Sequence, residues 1–552
     1  LDRIGDAPES TANSVSINMI PSSRVSTPQP FIMEIVTSSP NDSFRLYSAG
    51  NTGTPFKVLW GDGSSEIASN DITHTYALAG TYEITIPEPY NRSAFPAIGS
   101  NRSKISKIKQ WGTLSWIDLN ASWQFLPNFS ITATDTANFS NVTSFSSAFR
   151  NSSMTSLPNY KDWVSSNCTS LSLMFYSSDL TGYFDFSTWD ISNVTSLSYF
   201  IGSSDITSID TTGWDTSNVT SLLLFAGNCS NLTKIIGHEN WDVSSVTSLD
   251  SFLINSVNFE EFDPSSWNVS SVTSLQSAFD KGLKGLINPS LDLGSWDTSS
   301  VTSFYIMFRG NTNITSLGNI NNWDVSNATN MGYMFNSCSS LNLPDLSSWD
   351  TSSVTSIIGM FQQTTGASGS GIENWNTSSV TNAGSSFNTC VDVFDFTSLN
   401  WDLRNCTSLN QAFRTCRFSN DTLTLNIQTD STLTDCSQVF RTSSGINTLV
   451  LGNNVDFSGV TSFFYAFQGL GNLSLTIPSS LSFASATNFS NFLVGTTLSS
   501  ADYNNLLVRI EATNQIDNIN FMGGSNVATG AGLTARTSLI NDHSWTISDG
   551  TP

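Results

Sequence analysis

Ten tryptophans, Trp163, Trp189, Trp214, Trp241, Trp267, Trp296, Trp323, Trp349, Trp375 and Trp401, follow one another at intervals of 25 to 29 residues, most often 26. The phrase around them recurs as well: WDTSNVTSLLLF (214–225), WDVSSVTSLDSF (241–252), WDTSSVTSFYIMF (296–308) and WDTSSVTSIIGMF (349–361). A period in the twenties defines a solenoid, because one such unit cannot bury its own apolar side chains and shares a core with its neighbours. The period outlasts the tryptophan. Ala137 stands 26 residues before Trp163, ahead of NFSNVTSFSSAF. LTDCSQVF (433–440), VDFSGVTSFFYAF (455–467) and LSFASATNF (481–489) keep the register after Trp401. About 14 coils are expected over residues 130–494.

Within a coil, Val301, Phe304 and Phe308, or Val246, Leu249 and Phe252, fall at helical offsets and predict two turns of helix. ITSID (206–210), LTKII (232–236), ITSLG (314–318) and LNLPDL (341–346) predict one strand per coil. One short strand plus one short helix per coil is the geometry of a leucine-rich repeat. Parallel strands stack about 4.8 Å apart, so such an array makes a rod or arc on the order of 60 Å long.

The pattern W-D-x-S-x-V-T-S-L-x-x-M-F, carried most fully by MGYMFNSCSSLNLPDLSSWDTSSVTSIIGMF (331–361), resembles the BspA-type leucine-rich repeats of bacterial surface proteins, also grouped as DUF285. The resemblance implies a non-enzymatic surface protein that adheres to cells or matrix. Residues 56–86, FKVLWGDGSSEIASNDITHTYALAGTYEITI, resemble a polycystic-kidney-disease (PKD) domain through Trp60-Gly61-Asp62-Gly63-Ser64, His74-Thr75-Tyr76 and Gly80-Thr81-Tyr82. That likeness implies a small extracellular β-sandwich. The expected organisation is an arm or linker (1–27), a PKD-like sandwich (28–90), the solenoid (91–494) and a small α/β cap (495–552). In the cap, SSADYNNLLVRIEA (499–512) and LTARTSLIND (533–542) predict helices, and SWTISDG (544–550) a strand. The chain begins at Leu1 and is read as a processed product or part of something longer.

Composition narrows the function. Charged residues make up only 12% of 552, and Ser, Thr and Asn supply the polar surface, a usage expected of exposed extracellular proteins. A net charge of −23 repels nucleic acid and anionic lipid, so neither is an expected partner. No apolar run is long enough to suggest membrane insertion. The three histidines, His74, His238 and His543, form no catalytic motif, and no nucleophile elbow, P-loop or zinc signature occurs.

The candidate sites all lie on repeat columns. Asp297, Asp324 and Asp350 follow their tryptophans and would stack as a carboxylate ladder for Ca²⁺. The simpler reading is that each caps the next turn, since the neutral Asn268 and Asn376 hold the same place. The ten tryptophans are expected as core rather than as a sugar platform. The threonine column, Thr302 and Thr329 among its members, suits an ice-like lattice only on a strand face, and it is placed here in the predicted helix. Cys390 and Cys416, on adjacent coils, allow either a disulfide or two buried free thiols. RSKISKIK (102–109) reads as a charged first strand that discourages edge pairing, or as an anion contact. No cofactor beyond calcium is suggested. The expected function is an extracellular or virion-surface structural and adhesion protein. Its partners would be a protein or glycan receptor, or further copies in a fibre or coat. The alternatives are a glycan-binding module and a non-catalytic part of a larger enzyme.

Overall fold

The computed structural model describes residues 28–47, 55–69, 71–87, 91–93, 102–365, 371–391, 399–418 and 421–550. The expected arm (1–27) lies outside them, as do residues 366–370 of the stretch QQTTGASGSG (362–371) between two repeat phrases. The chain winds into a β-solenoid of about 17 turns with repeats of about 26 residues. More turns form than the 14 expected, because the ladder runs past residues 130–494 at both ends. The Thr143 N–H already bonds the Ile117 carbonyl at 2.9 Å, and Phe489 still bridges to Phe521.

The sandwich comes first. Strands β1 (Phe31–Thr37), β2 (Asp42–Leu46), β3 (Phe56–Leu59), β4 (Ser65–Ala68), β5 (Ile72–Tyr76) and β6 (Gly80–Ile86) are antiparallel, β1 on β6, β3 on β4 and β6, and β2 on β5. β7 (Asn91–Ser93), β8 (Ile105–Gln110), β9 (Ser115–Asp118) and β10 (Ser130–Ile131) join it to the solenoid. β8 lies antiparallel to β1 and parallel to β10. RSKISKIK therefore supplies an interior strand, not a bare edge. Its lysines reach back to sandwich acids: Lys104 to Asp42 at 2.6 Å, Lys107 to Glu34 at 2.7 Å, and Lys109 to Glu83. Trp111, Trp116, Trp123, Phe139 and Trp163 pack edge to face at this end, with centroids 5.2–6.2 Å apart, and plug the solenoid.

Short strands stack in register along one side of the coils. β11 (Thr181–Asp185), β12 (Asp205–Asp210) and β13 (Lys234–Ile236) are parallel neighbours. So are β14 (Thr422–Leu425), β15 (Thr448–Leu451), β16 (Gly471–Thr476) and β17 (Thr496–Leu498), where Leu423 faces Leu449 and Leu449 faces Leu475. A second ladder follows the V-T-S phrase on every coil. Single parallel bridges link Ser248, Ser274, Ser303, Asn330, Ser356 and Asn382 in turn.

The expected helix after that phrase does not form. The N–H groups of Met307, Arg309 and Asn311 turn back to carbonyls three residues earlier, on Phe304, Ile306 and Phe308. Those of Phe304, Ile306, Phe308 and Gly310 cross to Asn330, Gly332, Met334 and Asn336 of the next coil. A helix would send every N–H four residues back within its own segment. The segment is instead a ribbon of overlapping turns, with positive φ at Ile306 (62°) and Gly310 (75°). The same left-handed pair, four residues apart, recurs at Ser277 and Lys281, Tyr333 and Ser337, Ser385 and Thr389, and Gln411 and Thr415. Phe304 and Phe308 point inward together because this ribbon repeats every four residues. Among the described residues, α-helix forms only in the cap, where α1 (Ser500–Thr513) and α2 (Gly530–His543) flank β18 (Asn520–Val527), and β19 (Thr546–Gly550) lies parallel to it. The Ser499 hydroxyl caps α1 by accepting the Asp502 N–H at 3.1 Å.

Aromatic columns fill the interior. Trp296, Trp323, Trp349, Trp375 and Trp401 stack with centroids 6.0–6.4 Å apart and planes within 10°. Phe308, Phe335, Phe361, Phe387, Phe413 and Phe440 form a second stack at 5.5–6.0 Å. Each indole N–H in the first stack finds a carbonyl on an earlier coil, Trp323 on Leu293 at 2.8 Å and Trp349 on Ile320 at 2.9 Å. These five tryptophans are thus buried core with their one polar atom satisfied, whereas the buried Trp163 indole N–H meets no acceptor.

The turn ribbon makes a prediction that a helix would reverse. Left-handed backbone costs a non-glycine residue roughly 1–2 kcal/mol, whereas glycine in a helix interior costs up to about 1 kcal/mol. Ser385 has φ 56°, so Ser385→Gly is expected to leave stability unchanged or raise it by up to about 1 kcal/mol in chemical denaturation. A loss of about 0.5 kcal/mol would speak for helix.

Candidate functional site

The threonine column is an exposed ladder. The N–H of Thr302 donates to the Thr273 carbonyl, that of Thr329 to Thr302 and that of Thr355 to Thr329, all at 2.9 Å. Each hydroxyl donates to the same carbonyl, at 3.1, 3.2 and 2.9 Å. The column therefore adjoins the bridge ladder and does not sit in a helix, which corrects its expected placement. Beside it, the Asn193, Asn218 and Asn327 side-chain amides donate to carbonyls of the preceding coil at 2.7–2.8 Å. The outer face is a regular array of hydroxyls and amides held by the backbone.

The aspartates after each tryptophan bind their own coil. Asp297 accepts the Ser299 N–H at 3.1 Å and its hydroxyl at 2.6 Å. Asp324 and Asp350 accept the N–H of Ser326 at 2.9 Å and of Ser352 at 3.0 Å. These are turn caps. Hydrogen bonds from Ser326 hold the Asp324 carboxyl below the usual range. Among the described residues, no three His, Cys, Asp or Glu side chains converge as a metal site.

Cys390 and Cys416 are free and buried, not joined. Each thiol donates to the phenylalanine carbonyl of the coil before it, Cys390 to Phe361 at 2.8 Å and Cys416 to Phe387 at 2.7 Å. The two sulfurs are thereby held in the same direction along the stack rather than toward each other. Ser443 and Thr496 make the same bond elsewhere on the column, to Phe413 and Phe467, and Ser256 donates to the Ala226 carbonyl in the equivalent place. Burial pushes the Cys168 and Cys229 thiols up to about 11 and those of Cys338 and Cys390 up to about 12.

Two features break the repeat. In the sandwich, His74 stacks on Trp60 at 4.8 Å, with Nε2 2.8 Å from Asp62 and Nδ1 3.2 Å from Glu66. Burial pushes the Asp62 carboxyl up, but hydrogen bonds from Ser64 and His74 outweigh it and bring it down to about 2. On the solenoid, a groove of about 670 Å³ opens across three coils, lined by Glu239, Glu260, Glu261, Asp263, Ile287 and Asp292. Its floor is the buried His238, whose Nδ1 lies 2.6 Å from the Ile235 carbonyl while Nε2 accepts the Asp263 N–H at 2.9 Å. Burial lowers the His238 pKa, consistent with this neutral tautomer. Sequence reasoning missed the groove. Its one signal was the longest tryptophan interval, 29 residues from Trp267 to Trp296, with acids at 260, 261 and 263 just ahead of it.

The family model described as "Mycoplasma protein of unknown function, DUF285" matches residues 93–208, 198–287, 284–395, 361–480 and 390–505. The chain belongs to this family. No curated protein and no solved structure matches it.

Two outcomes are expected. The folded thiols titrate above unfolded ones, so their contribution is complete below the unfolded thiol range near pH 8.5 and is lost as pH climbs through about 9 to 12. The urea midpoint should hold from pH 6 to 8 and fall above pH 9; constancy to pH 11 would contradict this. Asp297→Ala should cost about 1 kcal/mol and Asp297→Asn much less, with the melting temperature indifferent to Ca²⁺. A Ca²⁺-dependent rise that Asp297→Asn abolishes would instead establish the ladder as a metal site.

Proposed function

We propose that this is a non-enzymatic structural and adhesion protein displayed on a cell or virion surface, whose solenoid contacts a host surface, a matrix or neighbouring copies. The observation that carries the reading is the exposed threonine–asparagine face. It repeats one unit on coil after coil, carries little charge, and ties its side chains to the backbone. Such a face loses little conformational entropy on contact and offers many equivalent positions to an extended partner. The leucine-rich-repeat likeness of the array belongs to this reading, as does that of the N-terminal sandwich to a PKD domain. In support of the second, the quoted motif residues converge: the Tyr76 hydroxyl donates to the Trp60 carbonyl at 3.0 Å, and His74 stacks on Trp60 and meets the Tyr76 ring edge to face.

Glycan binding through the sandwich is the weaker reading. Trp60, the one tryptophan of residues 28–90, is fully buried beneath His74 and offers no open face to a sugar. The test is location and attachment. Antibody against the folded protein should label intact cells or particles of the source, and beads coated with the protein should adhere to matrix-coated or cell surfaces. Labelling only after lysis, with beads that stay free, would overturn the proposal.

A further inference from the structure

The residue after the stacked phenylalanine occupies one column, with charged residues at Arg150, Asp280, Arg309, Arg414 and Arg441 and neutral ones such as Asn388 and Gln468 between. Among the described residues Arg150, Arg414 and Arg441 have no carboxylate partner, and only Arg414 and Arg441 stand on adjacent coils. Backbone bonds tie the column together, Lys281 N–H to the Arg309 carbonyl and Thr415 N–H to the Arg441 carbonyl, each from one coil to the next. At Arg309 the preceding coil supplies a partner. Asp280, its side chain 1% exposed, takes both ends of the guanidinium, Nε at 3.0 Å and Nη2 at 2.5 Å. Arg150, in the same column, lies instead over the Phe125 and Tyr176 rings, 5.4 and 5.6 Å from their centroids.

Arg414 and Arg441 stand in the same column on adjacent coils, and their neighbours before and after are the neutral Asn388 and Gln468. Their hydrogen bonds go to amide oxygens alone. Arg414 Nη1 donates to Gln411 at 3.1 Å; Arg441 Nη1 donates to Gln438 and Nε to Gln468, both at 2.8 Å. Arg441 also lies over the Tyr465 ring, 4.4 Å from its centroid. The buried Nε of Arg414 meets no acceptor. Among the described residues, neither guanidinium has a carboxylate partner, and both keep Nη2 unspent. The two arginines rise from backbones roughly 5 Å apart on adjacent coils, in a chain with 44 acidic residues against 21 basic ones. Like charges on adjacent coils repel, and unlike Arg150 these two stand side by side.

We infer that Arg414 and Arg441, framed by Gln411, Gln438, Gln468 and Tyr465, form a binding site for the anionic groups of an acidic polysaccharide, carboxylate or sulfate. The planar fork of a guanidinium matches either oxyanion, and two forks on one column suit a polymer that repeats its charge. The surrounding amides and the tyrosine suit sugar hydroxyls and ring faces. The overall charge of −23 repels polyanions elsewhere on the surface, which confines binding to this column and makes it salt-sensitive.

The test is biolayer interferometry of the full chain on immobilised dextran sulfate, alginate and unmodified dextran. Wild type is expected to bind dextran sulfate, alginate or both, and not dextran; whichever anionic polymer is held names the oxyanion. Arg414→Gln with Arg441→Gln places in both positions the residue found at 468 and should weaken binding by at least about tenfold. Arg414→Lys with Arg441→Lys keeps the charge without the fork and should fall between the two. Lys234→Gln with Arg404→Gln removes two cations already paired to Glu261 and Asp402, and should stay within about twofold of wild type. The inference fails if wild type does not distinguish the anionic polymers from dextran, if the double glutamine variant binds as wild type, or if the Lys234/Arg404 control loses as much. It rests on the surface-contact reading only for its setting. A protein that adheres to surfaces yet ignores both polyanions overturns this site alone, and a polyanion binder found only inside lysed cells overturns that reading alone.

Discussion

Everything in this molecule depends on the hydrogen bonds that pass from one coil to the next. A coil of about 26 residues has no helix or hairpin of its own to satisfy its backbone, and buried N–H and C=O groups must find partners. Here they find them across the coil boundary. The threonine ladder, the serine–asparagine bridges and the alternate donors of the turn ribbon all run along the stack. Once that spacing is set, the side chains have little freedom. Tryptophan must lie on tryptophan and phenylalanine on phenylalanine, and a thiol, hydroxyl or amide one column over must answer the phenylalanine carbonyl left open on the previous coil.

The same constraint explains the strain. Residues such as Ile306, Tyr333 and Gln411 hold left-handed backbone that would be unfavourable in isolation. They keep it because reversing one of them would break donors on two coils at once. Regularity is thus maintained by over-determination: each coil is templated by the one before it, and the sandwich with its tryptophan plug at one end and the α/β cap at the other close the open ends of the stack.

Much of this was legible in the sequence, and the exceptions have physical causes. Period, core columns and cap helices are written in spacing, because a stacked array repeats whatever it buries. The turn ribbon was not legible as such. Helix and ribbon both place Val301, Phe304 and Phe308 on one face, and only backbone conformation separates them. A signal existed in the recurrence of Gly310, Gly359, Gly469 and Gly495, with Asn151, Asn228 and Asn255, at the positions that prove left-handed. Spacing placed Cys390 and Cys416 one coil apart but said nothing of the carbonyls that orient them. The acidic groove at His238 is built from three coils, none of which announces it. The Arg414–Arg441 pair looks unremarkable until Arg309, in the same column, shows what a paired arginine looks like there.

The central claim is that coils are closed by turns and ladders, with α-helix confined, among the described residues, to the cap. Far-ultraviolet circular dichroism of the intact protein tests it most directly. Among the described residues, two 14-residue α-helices amount to about 5% of the 552-residue chain, and the spectrum should be that of a β-rich protein. Two turns of helix in every coil, about seven residues each, would raise the helical share to roughly a fifth or more, with the minimum at 222 nm to match; that result would contradict the account.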